Sequence, residues 1–456
     1  MENNPIKVRF SQLKSFILYI LIFVTLFVVT SLYTLQVNKV QVMWDGVFYF
    51  STLRSAFFDL DVNYINEAQQ YPWMTRTYGE SLPNGLISNP FPVGSAILWS
   101  PFYAIADLIC RTEMTSPCDG FGKVYVAAVM IGTVFWGTLG IFLTHIVLKV
   151  LFPTTPIGLR VLAILTTLLG TPLVFYLSVD VDYAHGNQFF AVGLLIFMTV
   201  TLLRKETVNI LDGLAYGMTI GLVFLVRWQD VIFGLFAIPV LMNLRRTHRL
   251  GFALATGVGL SVAALPQLLI WRVLYGSWLT VPQSGNFLNP SNAEPLKFFF
   301  STWNGVFLWH PLILFGLVGL ARLFRYPRLG RSYVWYILAV VTGVSIVMEV
   351  FISMIARDWW AGGAFGQRRL VSLAPLICVG ILQLFEEMRL VHPWIHLGFR
   401  VVMVLLIALN LLTLLRYHQG ALPFNPSDPS NYLSRQVYDH YDYGRRFTDL
   451  LTGQKP

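Results

Sequence analysis

Charge is what this chain has least of. Only 12% of its 456 residues are Asp, Glu, Lys or Arg, against 55% hydrophobic residues; an average soluble domain carries roughly 25% charged residues. Such a balance excludes an ordinary water-soluble globule. The sequence also lacks a glycine-rich phosphate loop and any G-K-[ST] triplet, which removes the signature of a nucleotide-driven engine. It has no repeated half of the kind many transporters carry. No small-residue cleavage site follows the first apolar run, 16 to 36, so that run reads as a retained span and not as a removed leader. Cysteine is scarce: Cys110 and Cys118 lie eight residues apart, where an oxidising compartment would permit a disulfide, and Cys378 falls within a span.

Long apolar runs are abundant. Beyond the first they fall near 124 to 148, 158 to 178, 187 to 203, 210 to 226, 231 to 244, 251 to 271, 305 to 321, 333 to 355, 370 to 385 and 399 to 415. Most are long enough to cross a hydrocarbon core of roughly 30 Å. The predicted fold is therefore all-α, a polytopic transmembrane helical bundle of about eleven spans. The net charge of +9 is spread over alternate short connections: Lys7, Arg9 and Lys14; Lys149 and Arg160; Arg204 and Lys205; Arg245, Arg246 and Arg249; and Arg322, Arg325, Arg328 and Arg331. This distribution argues for a lipid bilayer and against nucleic acid. The positive-inside rule makes those loops cytoplasmic. It puts the amino terminus inside an inner (plasma) membrane, residues 37 to 121 in a large outer segment, and 417 to 456 in a short outer tail after a transmembrane domain of 1 to 416. The tail sequence YDHYDYGRR would cover the outer face.

The remaining polar residues then sort to one side. The first outer loop holds Asp45, Asp59, Asp61, Glu67 and Glu80; the second holds SVDVDYAHGN with Asp180, Asp182, His185 and Asn187; the third holds VRWQD with Arg227, Gln229 and Asp230. The fourth spans about 272 to 304, and the fifth contains ARDWWAGGAFGQRR with Arg357, Asp358, Arg368 and Arg369. Phe50, Leu53, Phe57 and Leu60 recur at helical spacing, which predicts an amphipathic helix lying along the interface. Asp45 at its amino end either caps that helix or holds a functional carboxylate as general base or metal ligand. The segment 88 to 109, interrupted by Pro90, Pro92 and Pro101, reads as a juxtamembrane or re-entrant helix. Its Trp99, Phe102 and Tyr103 suit an interfacial belt.

The motifs WDG after the first span, NPFPVG, DVDYAHG, LVRWQD, STWNGVFLWHPL and DWWAGGAFGQRRLVSLAPL follow in an order that resembles the GT-C superfamily of polytopic glycosyltransferases. The likeness is to bacterial relatives of protein O-mannosyltransferases and of the aminoarabinose transferase of lipid A. Two features depart from that pattern: no Asp-Glu pair follows the first span, and Ser88-Asn89 stands where a lysine often precedes the proline helix. The resemblance implies transfer of a sugar from a polyprenyl-phosphate donor to a glycan, lipid or protein acceptor on the outer face, with inversion and with Asp45 as base. Arg227, Arg368 and Arg369 are the candidate phosphate ligands, because guanidinium groups match phosphate oxygens in bidentate fashion. Arg227 is expected to form a buried pair with Asp230. His185 and Asn89 complete the candidate donor site. Asp180 and Asp182 form a D-x-D that could hold a divalent cation, Mg or Mn, through oxygen ligands. Trp303, Trp359 and Trp360 are candidates to stack on sugar rings or to anchor at the interface. The rival reading is a transporter or lipid flippase without covalent chemistry, for which Glu349 is the main charge within a span.

Overall fold

The computed structural model describes residues 5–36, 41–72, 74–113, 117–283, 287–325 and 333–418. Helix α1 (Pro5–Gln36) is followed by the short α2 (Asp45–Arg54) and α3 (Ile65–Gln70), then by α4 (Gly94–Glu113) and α5 (Lys123–Leu151). Next come α6 (Ile157–Gly170), α7 (Leu173–Ser178), α8 (His185–Arg204), α9 (Ile210–Val226), α10 (Ala237–Asn243) and α11 (Arg246–Tyr275). The rest comprises α12 (Pro295–Phe300), α13 (Val306–Trp309), α14 (Leu312–Arg325), α15 (Tyr333–Ile355), α16 (Ala374–Met388) and α17 (Pro393–His418). The described residues contain no strand beyond two isolated bridges, so the all-α expectation holds.

Among the described residues six helical stretches can, by length and composition, cross a membrane: α5, α8, α11, α15, α17, and α16 together with the turn from Arg368 that leads into it. Shorter apolar stretches lie in Ile17–Tyr33, α6, α9 and Trp228–Asn243. The chain is an integral membrane protein. Two of the apolar runs are broken where proline removes a backbone donor. The run 158 to 178 divides into α6 and α7 at Thr171-Pro172, and the run 305 to 321 divides into α13 and α14 at His310-Pro311. Helix α4 is not among the six. Of the tail expected at 417 to 456, the residues from 419 onward lie outside the described residues.

The bundle is held by close helix pairs. Between α9 and α11, a Cβ on Gly217 would meet the Thr256 carbonyl at 2.0 Å, so glycine is what lets these two backbones approach. Asn209 and Asp212 start α9 with a reciprocal capping box, both bonds 2.9 Å, which satisfies two of the free amides there. Because α8 runs from His185 to Arg204 and α9 returns from Ile210 to Val226, the acid-bearing and VRWQD motifs share one end of the bundle. The basic connection 204 to 209 lies at the other end.

The segment that begins at Asp45 is not an interfacial helix with one wet face. Every residue of α2 from Gly46 to Arg54 is buried. The polar residues that periodicity assigns to an outer face find protein partners instead. Thr52 Oγ1 donates to the Phe48 carbonyl at 3.1 Å, and Ser55 Oγ donates to Asp61 at 2.7 Å. Arg54 pairs with Asp59 and, at 3.2 Å, with Glu67, and donates to the Asp119 carbonyl at 3.1 Å. Its guanidinium also lies 4.6 Å from the Phe121 ring centre. Trp99 and Tyr103 likewise sit inside and not in a belt, with Trp99 Nε1 donating to Thr133 at 2.9 Å and Tyr103 Oη to the Gly120 carbonyl at 2.7 Å. Cys110 and Cys118 are disulfide-bonded, tying the end of α4 to the approach to α5.

Most acids of the first loop are therefore structural. Burial pushes the Glu67 carboxyl up to about 7, outweighing the Arg54 charge beside it. A carboxyl whose folded pKa exceeds its unfolded value binds its proton more tightly when folded, so stability is full below about pH 4.5 and falls as pH rises through about 7. Thermal melts between these limits should show that fall, and Glu67→Gln should reduce its slope. An unchanged slope in the variant would mean that Glu67 is not the titrating group.

Candidate active site

Four distant pieces of chain meet at the end of the bundle opposite the basic connections. Asp45 is the first residue of α2, Arg227 follows the last turn of α9 in extended backbone, Arg368 and Arg369 open the short turn before α16, and Asp358 lies in the link from α15. They line one cavity of about 320 Å³, a size suited to a small-molecule group. The same cavity is lined by apolar and aromatic side chains, Tyr49, Phe91, Trp228, Trp271, Phe287 and Ile352, and the Phe287 ring centre lies 5.9 Å from the Arg369 guanidinium carbon. The fourth and fifth loops are joined over it, since Arg357 N donates to the Phe287 carbonyl at 2.8 Å and Asn289 N to the Ile355 carbonyl at 3.1 Å.

The three arginines are held differently. Arg368 Nη1 pairs with Asp45 Oδ2 at 2.8 Å, and its guanidinium carbon lies 5.4 Å from the Tyr183 ring centre. Arg369 is fixed to one residue, donating to the Asp358 carboxylate at 2.6 Å and to the Asp358 carbonyl at 2.8 Å. Arg227 is the least engaged: it makes one long bond of 3.4 Å to Gln229 Oε1, and its buried Nε has no acceptor among the described residues. The buried Arg227–Asp230 pair expected from sequence does not form. Asp230 Oδ1 instead accepts from Gln188 Nε2 at 3.2 Å, because the tight turn from Trp228 carries residue 230 back toward α8. Gln229 Nε2 donates to the buried Glu349, so that acid reaches the cavity only through Gln229 and Arg227.

Asp180 and Asp182 face a second, smaller cavity of about 140 Å³, together with Tyr33, Met43, Trp44 and Tyr183. The turn 43 to 46 is the wall between the two cavities: Met43 and Trp44 line the second and Asp45 the first. Asp182 Oδ2 accepts from Met43 N at 2.9 Å, and a Cβ on Gly46 would come within 2.2 Å of that oxygen. Trp44 has φ 49°, a conformation that costs of order 1–3 kcal/mol outside glycine. Asp182 is thus a brace on the strained turn that presents Asp45. Burial, reinforced by Asp180, pushes its carboxyl up to about 7. Among the described residues no group of three or more His, Cys, Asp or Glu is placed to hold a metal. The two carboxylates, one already bonded to a backbone amide, do not amount to a protein-built Mg or Mn cage.

Asp182→Asn, whose amide oxygen still accepts from Met43, should leave hydrogen exchange of segment 41 to 46 near that of the native protein. Asp182→Ala should accelerate it. Equal behaviour of the two variants would remove the bracing role.

The other sequence candidates stand beside the cavity and not in it. Asn89 donates to the Phe48 carbonyl at 2.9 Å and to Thr52 at 3.0 Å, and accepts from Phe91 N at 3.1 Å. Its amide is spent on fastening the proline segment to α2. His185 shares a 3.0 Å bond with Gln188 and lies 4.6 Å, ring centre to ring centre, from Tyr176. Trp303 and Trp360 stack on each other at 4.3 Å, and Trp359 meets Trp360 edge-on. Tyr78, Trp271 and Gln283 were not foreseen in the cavity wall. The polar fourth loop was the available signal for Gln283, whose amide donates to the Pro90 carbonyl at 3.1 Å.

No family model matches the chain, and no curated protein matches it. Among solved structures it is similar to the crystal structure of ArnT from Cupriavidus metallidurans bound to undecaprenyl phosphate, with 14% identity over 90% of this chain and 73% of that chain and a TM-score of 0.45.

Proposed function

We propose that the chain is a membrane glycosyltransferase that moves a sugar from a polyprenyl-phosphate donor to an acceptor hydroxyl on the non-cytoplasmic face. The observation that carries this reading is the convergence of Asp45, Arg227, Arg368 and Arg369 on one cavity that is also lined by aromatic and aliphatic side chains. The order of motifs that resembles the GT-C superfamily supports it. The apolar lining suits the first units of a prenyl chain, and the guanidinium groups suit its phosphate.

Without substrate, Asp45 and Arg368 neutralise each other. A bound phosphate competes for Arg368 and leaves Asp45 free to face the acceptor. In the reaction the acceptor oxygen bonds to the anomeric carbon and gives its proton to Asp45. The bond from that carbon to the phosphate oxygen breaks, and polyprenyl phosphate departs with the electron pair. Arg227, already present with unused donors, stabilises the charge that develops on the leaving phosphate.

Purified protein incubated with a panel of polyprenyl-phosphate sugars and lipid-linked or free glycan acceptors should release polyprenyl phosphate with at least one donor. Consumption of none, with movement of the intact lipid across a vesicle membrane, would favour the flippase reading, for which the buried Glu349 is the specific feature. Arg227→Gln should weaken polyprenyl phosphate binding about tenfold with little change in melting temperature. Arg369→Gln should lower the melting temperature as well, because Asp358 loses its partner. Identical effects of the two would refute the division of labour among the arginines.

A further inference from the structure

Arg160, the fourth residue of α6, lies at the end of the bundle that carries the basic connections, far from the cavity described above. It is only 7% exposed, yet it has no carboxylate or other hydrogen-bond acceptor among the described residues, and its buried Nε is unpaired. Two more buried groups beside it are also unpaired, Tyr19 Oη from α1 and His145 Nδ1 from α5. The Tyr19 and His145 rings are 5.7 Å apart, centre to centre. Among the described residues the ionisable groups in range of Arg160 and His145 are Tyr19 and the exposed Lys149, with no acid among them. A buried guanidinium nitrogen without an acceptor is costly, and three such unpaired groups lie on the neighbouring helices α1, α5 and α6.

The local backbone adds to the same field. Ile157 and Gly158 are in the first turn of α6, where amides precede the intrahelical bonds, and a Cβ on Gly158 would meet nothing within 4 Å. Tyr19 lies on the buried face of α1, whose other face is exposed and apolar at Ile17, Ile20, Leu21 and Val24, and it is near the start of the apolar stretch Ile17–Tyr33. That level is where lipid phosphates lie.

We infer that Arg160, Tyr19, His145 and Lys149 form a phosphate site between α1, α5 and α6 that takes the headgroup of an anionic phospholipid from the leaflet at the basic end of the bundle. A phosphate would receive the guanidinium and the tyrosine hydroxyl and would sit near the amino end of α6. An anionic lipid is favoured over zwitterionic lipid because, among the described residues, no acid is in range to meet a choline or ethanolamine group.

The test uses the full chain in nanodiscs of phosphatidylcholine alone or with phosphatidylglycerol, with a separate arm of inorganic phosphate added to phosphatidylcholine discs. Retained lipid is read by native mass spectrometry and stability by thermal melting. Phosphatidylglycerol should be retained and should raise the melting temperature. Arg160→Gln should weaken that binding about tenfold without lowering the melting temperature in phosphatidylcholine, since it removes an uncompensated buried charge. Tyr19→Phe should weaken it less, and Lys297→Gln, an exposed cation elsewhere, should not change it. Full retention of phosphatidylglycerol by Arg160→Gln overturns the site. So does an equal loss of stability by that variant in both lipids, which would make Arg160 a packing residue. Reproduction of the entire shift by inorganic phosphate overturns the lipid assignment.

Discussion

Asp45→Asn should lower transfer from a polyprenyl-phosphate sugar by about 10³-fold, the usual scale of losing a positioned general base, while the protein still folds. The side chain is 20% exposed and sits at the edge of a cavity, not in a packed interior. An asparagine oxygen can still accept from Arg368, so the turn and the cavity should persist. What is lost is the ability to take the acceptor proton. The effect should therefore appear in kcat, with donor affinity unchanged or increased, because Arg368 is then less strongly held by its neighbour. Turnover near that of the native enzyme would remove Asp45 from the base role.

Arg54→Leu should destabilise the protein by about 3–5 kcal/mol, the cost of leaving a buried partner uncompensated. Arg54 connects α2 to Asp59, Glu67 and the Asp119 carbonyl, and Glu67 has no exposure at all. Had the amphipathic interfacial reading been right, this charge would face water and its removal would change stability by less than about 0.5 kcal/mol. The companion Arg54→Leu/Glu67→Leu should recover part of the loss, since replacing both members of a buried pair by apolar groups is often tolerated. Thermal or denaturant unfolding in detergent would show both effects. A small loss for the single variant, or none recovered by the double, would contradict the buried network.

The contrast between Asp45 and Glu67 shows how far the sequence could be read. In a chain so poor in charge each ionisable residue is conspicuous, and the motif order and loop charges were enough to collect Asp45, Arg227, Arg368 and Arg369 at one end before any contact was known. The role of each carboxylate was not legible in the same way. Glu67 and Asp59 occupy the same loop as Asp45, and only the tertiary packing of α2 decides that they meet Arg54 while Asp45 meets a cavity. Asn89 and His185 illustrate the same limit, since a polar residue in an apolar stretch gives no sign of whether its hydrogen bonds go to backbone or to ligand. Helix breaks at Pro172 and Pro311 were visible as prolines but were absorbed into apolar runs, because hydropathy averages across a single residue. Aromatic wall residues such as Trp271 were hidden by their abundance.

The central claim is that this cavity opens to the non-cytoplasmic side and receives a polyprenyl phosphate. A cysteine at position 78 tests it most directly: Tyr78 lines the cavity and is 44% exposed, while Cys378 is buried and the other two native cysteines are bonded to each other. In intact cells Tyr78→Cys should react with a membrane-impermeant maleimide, and in purified protein polyprenyl phosphate should slow that reaction whereas a neutral prenyl alcohol should not. Labelling that requires permeabilised cells, or a rate indifferent to polyprenyl phosphate, would contradict it.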